Sequence, residues 1–526
     1  MREIISIQTG GYSNFVGAHF WNIQDEYNGF SASEINQEVL FRAGENRQGQ
    51  PTQTPRLVLF DIPENLGSLH HEGDLYASGE GLSSRIPWEG NVLKVEAEKV
   101  EKNRYLQSLE QPEGNAAEEP KIWEVESFVN CWSDFLKVQL HPRTIYTLPS
   151  ATYMHSGGSS PMDVFTAGHE IMANLEQQDA ILDRLRYFAE ECDGLQGFHI
   201  VTDSHTGYGA LATDLLQAIA DEYTGAPAVV FAVSPHVDRS FCNEPWFLRR
   251  KLNSILSLAS LSNTSALYVP LGNGDDDWSL SKRFPGLQRL NVSSVFQTSA
   301  ILGACLNTCT LSYRSAVPEL SLSELVYGLR VRSTDRVAAL SIALPFPAVQ
   351  SDYEADARQS SSQLRHDLGS SQLRNATYMT NLTPSLTQES LCTVTSEHVV
   401  LNGAQCWNRT EDVASVLDTF LANTPCYKRS RSIFSQPMPV PIPFPQFFSL
   451  AKTASEVGET ATLGHLQVTP ALHGFLEKAR QDFAKLEKEH RAILQADEQL
   501  GFGTDENIGC RNYLVELAEE YETRQS

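Results

Sequence analysis

The sequence predicts an α/β protein built on a doubly wound parallel sheet. The chain opens with an apolar strand at residues 4–8, a Thr9-Gly10-Gly11 turn and a helix, and a second apolar strand follows at 56–61. The same order returns at 198–223, where a strand leads into a small-residue turn and a helix. Strands alternating with helices through short glycine turns are typical of parallel sheets with helices on both faces.

Apolar periodicity defines the elements of the first half of the chain. The first helix covers residues 14–25, and one face of it carries Phe15, Val16, His19, Phe20 and Ile23 at helical spacing. A longer helix at 174–192 repeats the pattern at Leu175, Ile181, Leu182, Leu185 and Phe188. Continuous apolar runs at 56–61 and 228–233 indicate buried strands, as parallel sheets require.

The pattern changes after two further helices. Helices are predicted at 248–261 and 288–302, and a strand at 337–344. A polar stretch at 351–375, which carries SSQLR twice, is predicted to be a flexible loop, and the proline-rich run at 437–445 must be extended.

The C-terminal part of the chain is predicted to be helical. Thr469 caps a helix with Pro470 at its first position, running to about Ala496, and an acidic helix follows at 511–521. The amphipathic face of the first of these predicts docking onto the body, with an exposed partner-binding face as the alternative. We therefore divide the chain into a doubly wound domain, a core-helix region, a mixed domain and a C-terminal helical region, at 1–285, 286–315, 316–450 and 451–526.

Composition excludes several classes of function. With 65 acidic and 40 basic residues, the formal net charge of -25 argues against a broad nucleic-acid-binding surface. Nine cysteines without a C-x-x-C pair indicate a reducing compartment. Neither Cys305 with Cys309 nor His70 with His71 supplies a convergent ligand set, so no metal site is predicted. No stretch approaches the ~18 apolar residues of a membrane span, so any membrane association is expected to be peripheral.

The turn before the helix at 210–223 raises the question of a phosphate site. Glycines at 207 and 209, preceded by Thr206, would let backbone N–H groups approach an anion at a helix N-terminus. Asp203 opposes this, because two like charges at ~4 Å repel by about 1 kcal/mol in water and ~4 kcal/mol at a surface-like dielectric, although Mg²⁺ would reverse the sign. A turn kept only for tight packing and a residual nucleotide site both remain open.

Particular strings resemble tubulin. MREI-x-x-I-Q at 1–8, N-x-x-G-A-x-F-W at 14–21 and PRLVLFD at 55–61 are similar to tubulin segments, and Leu290-Asn291 resembles the start of its core helix. The resemblance implies a tubulin/FtsZ-like fold. It also implies a degenerate site for GTP and Mg²⁺, with candidate residues Gly10, Asn14, Thr206, Gly207, Gly209, Asn273 and Asn291.

Departures from tubulin weaken that site. Gly11 and Tyr12 stand where tubulin has glutamine and cysteine, and Asp203, Ser204, His205 and Tyr208 interrupt the G-G-G-T-G-S-G loop. The G-x-x-N-x-D loop with which one subunit activates water on the next is replaced by residues 317–324, where only Glu319 and Glu324 offer carboxylates. An off-register carboxylate positions water poorly. We therefore expect no catalytic residues and no GTP-driven polymerisation.

Other strings resemble the Misato family of tubulin-related proteins. They are WSDFL at 132–136, LHPR at 140–143, EECD at 190–193, LQGF at 195–198 and SAIL at 299–302. The resemblance implies a cytoplasmic and mitochondrial outer-membrane protein acting in mitochondrial distribution, morphology and fusion. Implied partners are the outer-membrane fusion machinery, tubulin and the cytosolic chaperonin. The leading hypothesis is a non-enzymatic factor; the alternatives are a GTP-binding switch or slow GTPase, and a tubulin or chaperonin assembly factor that affects the spindle.

Overall fold

The fold was analysed in a computed structural model of the whole chain. The residues it describes are 2–28, 33–46, 49–71, 73, 75, 100–110, 122–148, 162–237, 242–272, 287, 290–317, 320–344, 379–386, 394–406, 414, 417, 425–445, 458–499 and 503–522. The loop expected at 351–375 lies outside these residues.

A six-stranded parallel sheet forms the first half of the molecule. Its order is β5-β4-β1-β6-β7-β8, and every neighbouring pair runs parallel. The strands are β1 (Glu3–Thr9), β4 (Leu57–Asp61), β5 (Ile145–Thr147), β6 (Leu195–Asp203), β7 (Ala228–Ser234) and β8 (Leu267–Gly272), and a separate hairpin is made by β2 (Phe41–Glu45) and β3 (Pro51–Pro55). Central strands are buried on both sides, as continuous apolar runs require. The predicted doubly wound sheet is confirmed.

Helices cover both faces of this sheet. Their bounds are α1 (Gly11–Asn28), α2 (Arg104–Leu109), α3 (Ile122–Phe128), α4 (Ala167–Ala173), α5 (Leu175–Glu190), α6 (Tyr208–Glu222) and α7 (Glu244–Thr264). Asparagine side chains cap three of them: Asn103 accepts from the Leu106 N–H, Asn174 from the Gln177 N–H and Asn243 from the Trp246 N–H.

The core helix α8 (Val295–Thr310) joins the two halves of the molecule. It packs along α1, where a Cβ on Gly303 would lie 2.9 Å from the Cβ of His19. Its other side meets the second sheet, and the Thr308 and Thr462 hydroxyls are 2.8 Å apart. The helix predicted at 288–302 therefore begins and ends later, because Ser294 supplies the N-terminal cap.

A mixed five-stranded sheet follows the core helix. Its order is β10-β9-β15-β11-β12, with only β11 and β12 parallel. The remaining elements of this half are α9 (Leu322–Leu329), β9 (Ala339–Ala343), β10 (Thr380–Asn381), β11 (Val394–Asn402), β12 (Cys426–Phe434), β13 (Met438–Val440), β14 (Gly458–Thr460) and β15 (Thr462–Val468). The proline-rich run contributes β13, as the predicted extended conformation requires.

The C-terminal helices pack on the first half of the molecule. They are α10 (Leu472–Glu489), α11 (Arg491–Gln499) and α12 (Thr504–Glu522), so the single helix predicted to Ala496 is broken at His490. Lys251 of α7 pairs with Asp482 at 2.7 Å, and the buried Tyr521 hydroxyl donates to the Val337 carbonyl at 2.8 Å. Docking onto the body, the first of the two alternatives, is therefore observed.

Arg314 ties α1 to the C-terminal end of α8. Its guanidinium is 1% exposed and donates to Gln24 Oε1, to the Asn307 carbonyl and side chain, and to the Thr310 carbonyl. These acceptors are neutral, but the helix C-terminus carries partial negative charge that favours a cation. Burial lowers the pKa of Arg314 to about 10.

Replacing Arg314 with alanine should lower the free energy of unfolding by about 3 kcal/mol, because buried acceptors on Gln24 and Asn307 lose a charged donor. Urea unfolding followed by circular dichroism measures the change. The exposed Arg491, replaced by alanine, is the control and should shift stability by less than about 0.5 kcal/mol. Equal effects of the two substitutions would contradict this account of Arg314.

Candidate functional site

The candidate site lies at the carboxyl edge of the parallel sheet, where ligands bind in open α/β folds. In the pairing of β1 with β6, Thr9 lies opposite Thr202, so Gly10 and Asp203 leave the sheet side by side. Helix α1 begins at Gly11, immediately after the β1 turn. Its first N–H groups have no acceptor within the helix and form an anion-binding position.

The side chain of Asp203 occupies that position. Its two oxygens accept hydrogen bonds from the Tyr12 N–H at 3.0 Å and the Ser13 N–H at 2.7 Å. A Cβ on Gly10 would lie 2.4 Å from Asp203 Oδ2, and the φ of Gly10 is +107°, so only glycine fits this approach. The carboxyl group therefore takes the helix N-terminal donors that a phosphate would need.

The protonation of Asp203 is set mainly by its burial. The residue is 4% exposed, and this burial raises the pKa of its carboxyl to about 8. The two backbone N–H groups and the nearby Arg250 lower the pKa, and Asp61 raises it. In either protonation state the side chain fills the space beside the α1 N-terminus.

The turn between β6 and α6 is also closed by the protein itself. The Gly207 N–H donates to the Met162 carbonyl at 2.7 Å, and a Cβ on Gly207 would lie 2.6 Å from the Val164 carbonyl oxygen. At Gly209 the neighbour is Ser257 of α7, whose hydroxyl would be 2.0 Å from an added Cβ. Both glycines are therefore required by close packing, whether or not a ligand binds.

Two further candidate residues serve contacts inside the protein. The Thr206 hydroxyl donates to the Asp203 carbonyl at 3.2 Å. The Asn14 amide is 1% exposed and donates to Asp61 Oδ2 at 2.8 Å and to the Phe60 carbonyl. Asp61 also accepts from the Trp132 indole at 2.9 Å, and burial raises its pKa. Gly10, Asn14, Thr206, Gly207 and Gly209 are thus brought together at one edge.

The part of the expected nucleotide site that would contact the guanine base differs from the prediction. Asn291 is exposed and lies in the turn before α8, where its side chain accepts from the Ser293 N–H at 3.1 Å. Thr298 of α8 instead lies near the buried Tyr12 of α1: burial raises the pKa of Tyr12, and the Thr298 hydroxyl lowers it. Asn273 lies outside the described residues.

Glu324, one of the two carboxylates that could position water for GTP hydrolysis, caps a helix instead. Glu324 Oε2 accepts from both the N–H and the hydroxyl of Ser321 at 2.7 Å, at the start of α9. This capping box lowers the pKa of Glu324. Glu319 lies outside the described residues.

The described ranges contain neither a metal-ligand cluster nor a helix that could span a membrane. No group of three or more histidine, cysteine, aspartate or glutamate side chains converges there in a way that could hold a metal ion. None of the described helices combines the length and apolarity needed to cross a membrane.

The role of Asp203 as an internal occupant was missed from the sequence. The residue was recognised as unfavourable for phosphate, but its hydrogen bonds to the α1 N-terminus depend on the register of β1 against β6. An aspartate at the end of one strand and a glycine at the end of its parallel neighbour is the signal that could have revealed it.

Asp203 makes stability depend on pH. Its pKa of about 8 in the folded protein exceeds the unfolded value of about 3.9, so folding retains a proton that the unfolded chain releases. This contribution is complete below about pH 4 and is lost as pH rises through 8. The free energy of unfolding of the wild type minus that of Asp203→Asn should therefore fall from pH 5 to 8, by at most about 1.4 kcal/mol per pH unit.

The measurement is a series of urea titrations at fixed ionic strength. Asp505→Asn, which removes an exposed carboxylate at the start of α12, serves as the control and should give a difference that stays flat over the same range. A flat difference for Asp203→Asn as well would rule out the raised pKa.

Two family models match the chain in succession. Residues 2–111 match the Misato Segment II tubulin-like domain, and residues 123–315 match the Tubulin domain. The second match extends through the core helix α8. Together with the parallel sheet, the helices and the second mixed sheet, these matches establish the tubulin-like fold.

Curated relatives carry the same family name. Protein misato homolog 1 of Bos taurus is 29% identical over 549 residues, covering 92% of each chain. Protein misato homolog 1 of Homo sapiens is 32% identical over 66% of this chain and 65% of its own length, and protein misato of Drosophila melanogaster is 32% identical over the same shares. The resemblance that short strings indicated therefore extends over most of the chain. The chain belongs to the Misato family of tubulin-like proteins.

Proposed function

We propose that this protein is a non-enzymatic tubulin-like factor that maintains mitochondrial distribution and morphology through protein partners. The observation that carries the non-enzymatic part is the Asp203 carboxyl group on the N-terminus of α1. A group attached to the chain binds there without the loss of translational and rotational freedom that a nucleotide suffers on binding. The donors are therefore already satisfied at the position where tubulin-like proteins hold phosphate.

Two further features support the absence of GTP hydrolysis. The Gly207 N–H is committed to the Met162 carbonyl, so the α6 turn offers fewer donors to a second phosphate. Glu324 is held by Ser321 in a helix cap, which separates it from any role in positioning water on a neighbouring subunit. Neither GTP nor Mg²⁺ is needed for the proposed role.

The mitochondrial part of the proposal comes from family resemblance. On this proposal the protein works from the cytoplasm and as a peripheral protein at the mitochondrial outer membrane. Its partners there are proteins of the fusion machinery. An assembly factor for tubulin or the chaperonin is the competing outcome of the partner experiment below.

Purified wild-type protein should show no saturable binding of fluorescent GTP with Mg²⁺ up to about 1 mM, because Asp203 and the Met162 carbonyl hold the donors. Asp203→Gly frees the α1 N-terminus and should raise the affinity at least about tenfold above the wild-type limit. Fluorescence anisotropy measures both.

The matched control for this experiment is Asp214→Gly on α6, which also removes one carboxylate and should leave binding undetected. Micromolar, Mg²⁺-dependent GTP binding by the wild type would overturn the non-enzymatic proposal and favour a nucleotide switch.

Cells depleted of the endogenous protein should recover a normal mitochondrial network when this chain carries Thr206→Val. That change removes a hydroxyl expected to contact nucleotide but leaves the packed glycines in place. Confocal imaging of the network, with wild type and empty vector alongside, measures the recovery. Two results together would support the assembly role instead. Affinity capture would yield tubulin and chaperonin without outer-membrane proteins, and the mitochondrial network would be normal in the empty-vector cells.

A further inference from the structure

A cavity lies beside the candidate site, between the ends of two strands and two helices. Its walls come from the carboxyl ends of β7 and β8, from α7, from α10 and from Pro384 and Ser385 after β10. The C-terminal helix α10 thus closes a space that the parallel sheet and α7 leave open. Its volume is about 130 Å³, close to the roughly 150 Å³ that holds one benzene ring in an apolar protein cavity.

The walls of this cavity divide into an apolar part and a basic part. The apolar part is lined by Phe247, Ile255, Leu258, Tyr268, Leu271 and Phe475. The basic part consists of Arg250 and Lys251 on α7 and Lys478 on α10. Asp482 is the carboxylate among the lining residues, and it is already paired with Lys251 at 2.7 Å.

This charge balance is opposite to that of the chain. Three cations face one carboxylate in the cavity lining, whereas the whole chain has a net charge of -25. Burial lowers the pKa of Lys478, the nearby Asp482 carboxylate raises it, and the like charge of Lys251 lowers it. Arg250 and Lys251 are half-buried, and gathering cations in such a space is unfavourable unless an anion offsets them.

Arg250 has donor groups to spare. Its Nη2 donates to the Ser234 hydroxyl at 2.9 Å and the Pro235 carbonyl at 2.8 Å, which fix the guanidinium at the end of β7. Both acceptors are neutral, and within the described part of the chain Arg250 forms no salt bridge with a carboxylate. A guanidinium has five N–H donors in a rigid fork, so the arginine can still bind a carboxylate or phosphate.

The backbone at the cavity wall is strained. Ser385 has a φ of 60°, and among the described residues it is the one non-glycine residue with a positive φ. Such conformations persist where the surrounding structure holds them and occur often at ligand sites. Ser385 places the segment after β10 against the cavity, opposite α7.

We propose that this cavity binds a small amphipathic anion, an aromatic ring bearing a carboxylate or phosphate, with the ring among the apolar side chains and the anionic group between Arg250 and Lys478. Fixed polar groups beside an apolar pocket are the usual make-up of a small-molecule site. The ligand would join α7 to α10 and so stabilise the docking of the C-terminal helices. This inference goes beyond the proposed function and stands whether or not the protein binds GTP.

Isothermal titration of the full chain with phenyl phosphate, benzoate, benzyl alcohol and inorganic phosphate tests the proposal. At least one of the two aromatic anions should bind with a Kd in the millimolar range or tighter. That Kd should be at least tenfold lower than the Kd of benzyl alcohol and the Kd of inorganic phosphate. Comparing phenyl phosphate with benzoate identifies which anionic group the cations prefer.

Two variants locate the binding. Lys478→Met keeps the length of the side chain but removes its charge, and it should weaken binding at least tenfold. Lys485→Met, on an exposed part of the same helix with its side chain 62% exposed, is the matched control and should change Kd less than twofold. Ala479→Phe fills the cavity and should abolish binding.

Three results would overturn the proposal. The first is that neither aromatic anion binds. The second is that the aromatic anions bind no more tightly than benzyl alcohol or inorganic phosphate. The third is that Lys478→Met leaves binding unchanged. Circular dichroism of each variant confirms that α10 remains folded. If Ala479→Phe fails this check, the comparison of Lys478→Met with Lys485→Met decides alone.

Discussion

The contact between the Asp203 carboxyl group and the N-terminal N–H groups of α1 governs the chemistry of this molecule. A parallel sheet aligns the ends of its strands, so whatever follows β6 lies beside the helix that follows β1. In a nucleotide-binding protein that neighbour is left open for phosphate. Here a side chain fills it, with N–O distances of 3.0 and 2.7 Å. A ligand would have to displace a group that costs the protein no association entropy to hold.

Glycines around this contact show how a fold can retain a motif after the chemistry of that motif has changed. Gly10 approaches Asp203, Gly207 approaches the Val164 carbonyl, and Gly209 approaches Ser257. Each would clash on gaining a Cβ, so packing alone is enough to require it. The presence of a glycine turn between a strand and a helix is therefore weak support for a bound nucleotide.

The two halves of the molecule are held together by helices and by backbone hydrogen bonds from β8 to residues 336–338 and to Leu382. Helix α8 packs between α1 and β15, and Arg314 fixes its end through buried neutral acceptors. On the opposite side, α10 and α12 cover α7. The cavity with Arg250 and Lys478 lies in this second interface. Each interface contains a buried or half-buried arginine, Arg314 in the first and Arg250 in the second.

The sequence by itself determined the parallel sheet with β1, β4, β6 and β7, the helices α1, α5, α6 and α7, and the family, because these depend on local periodicity and on specific strings. Through its resemblance to tubulin it also grouped Gly10, Asn14, Thr206, Gly207 and Gly209 in one candidate site, and the structure brings these residues together at one edge of the sheet. Only the tertiary structure decided what these residues contact. The start of α8, the cap formed by Glu324 and the occupation of the α1 N-terminus by Asp203 depend on strand register and on side-chain packing between distant segments, and neither is encoded in any one stretch of the chain.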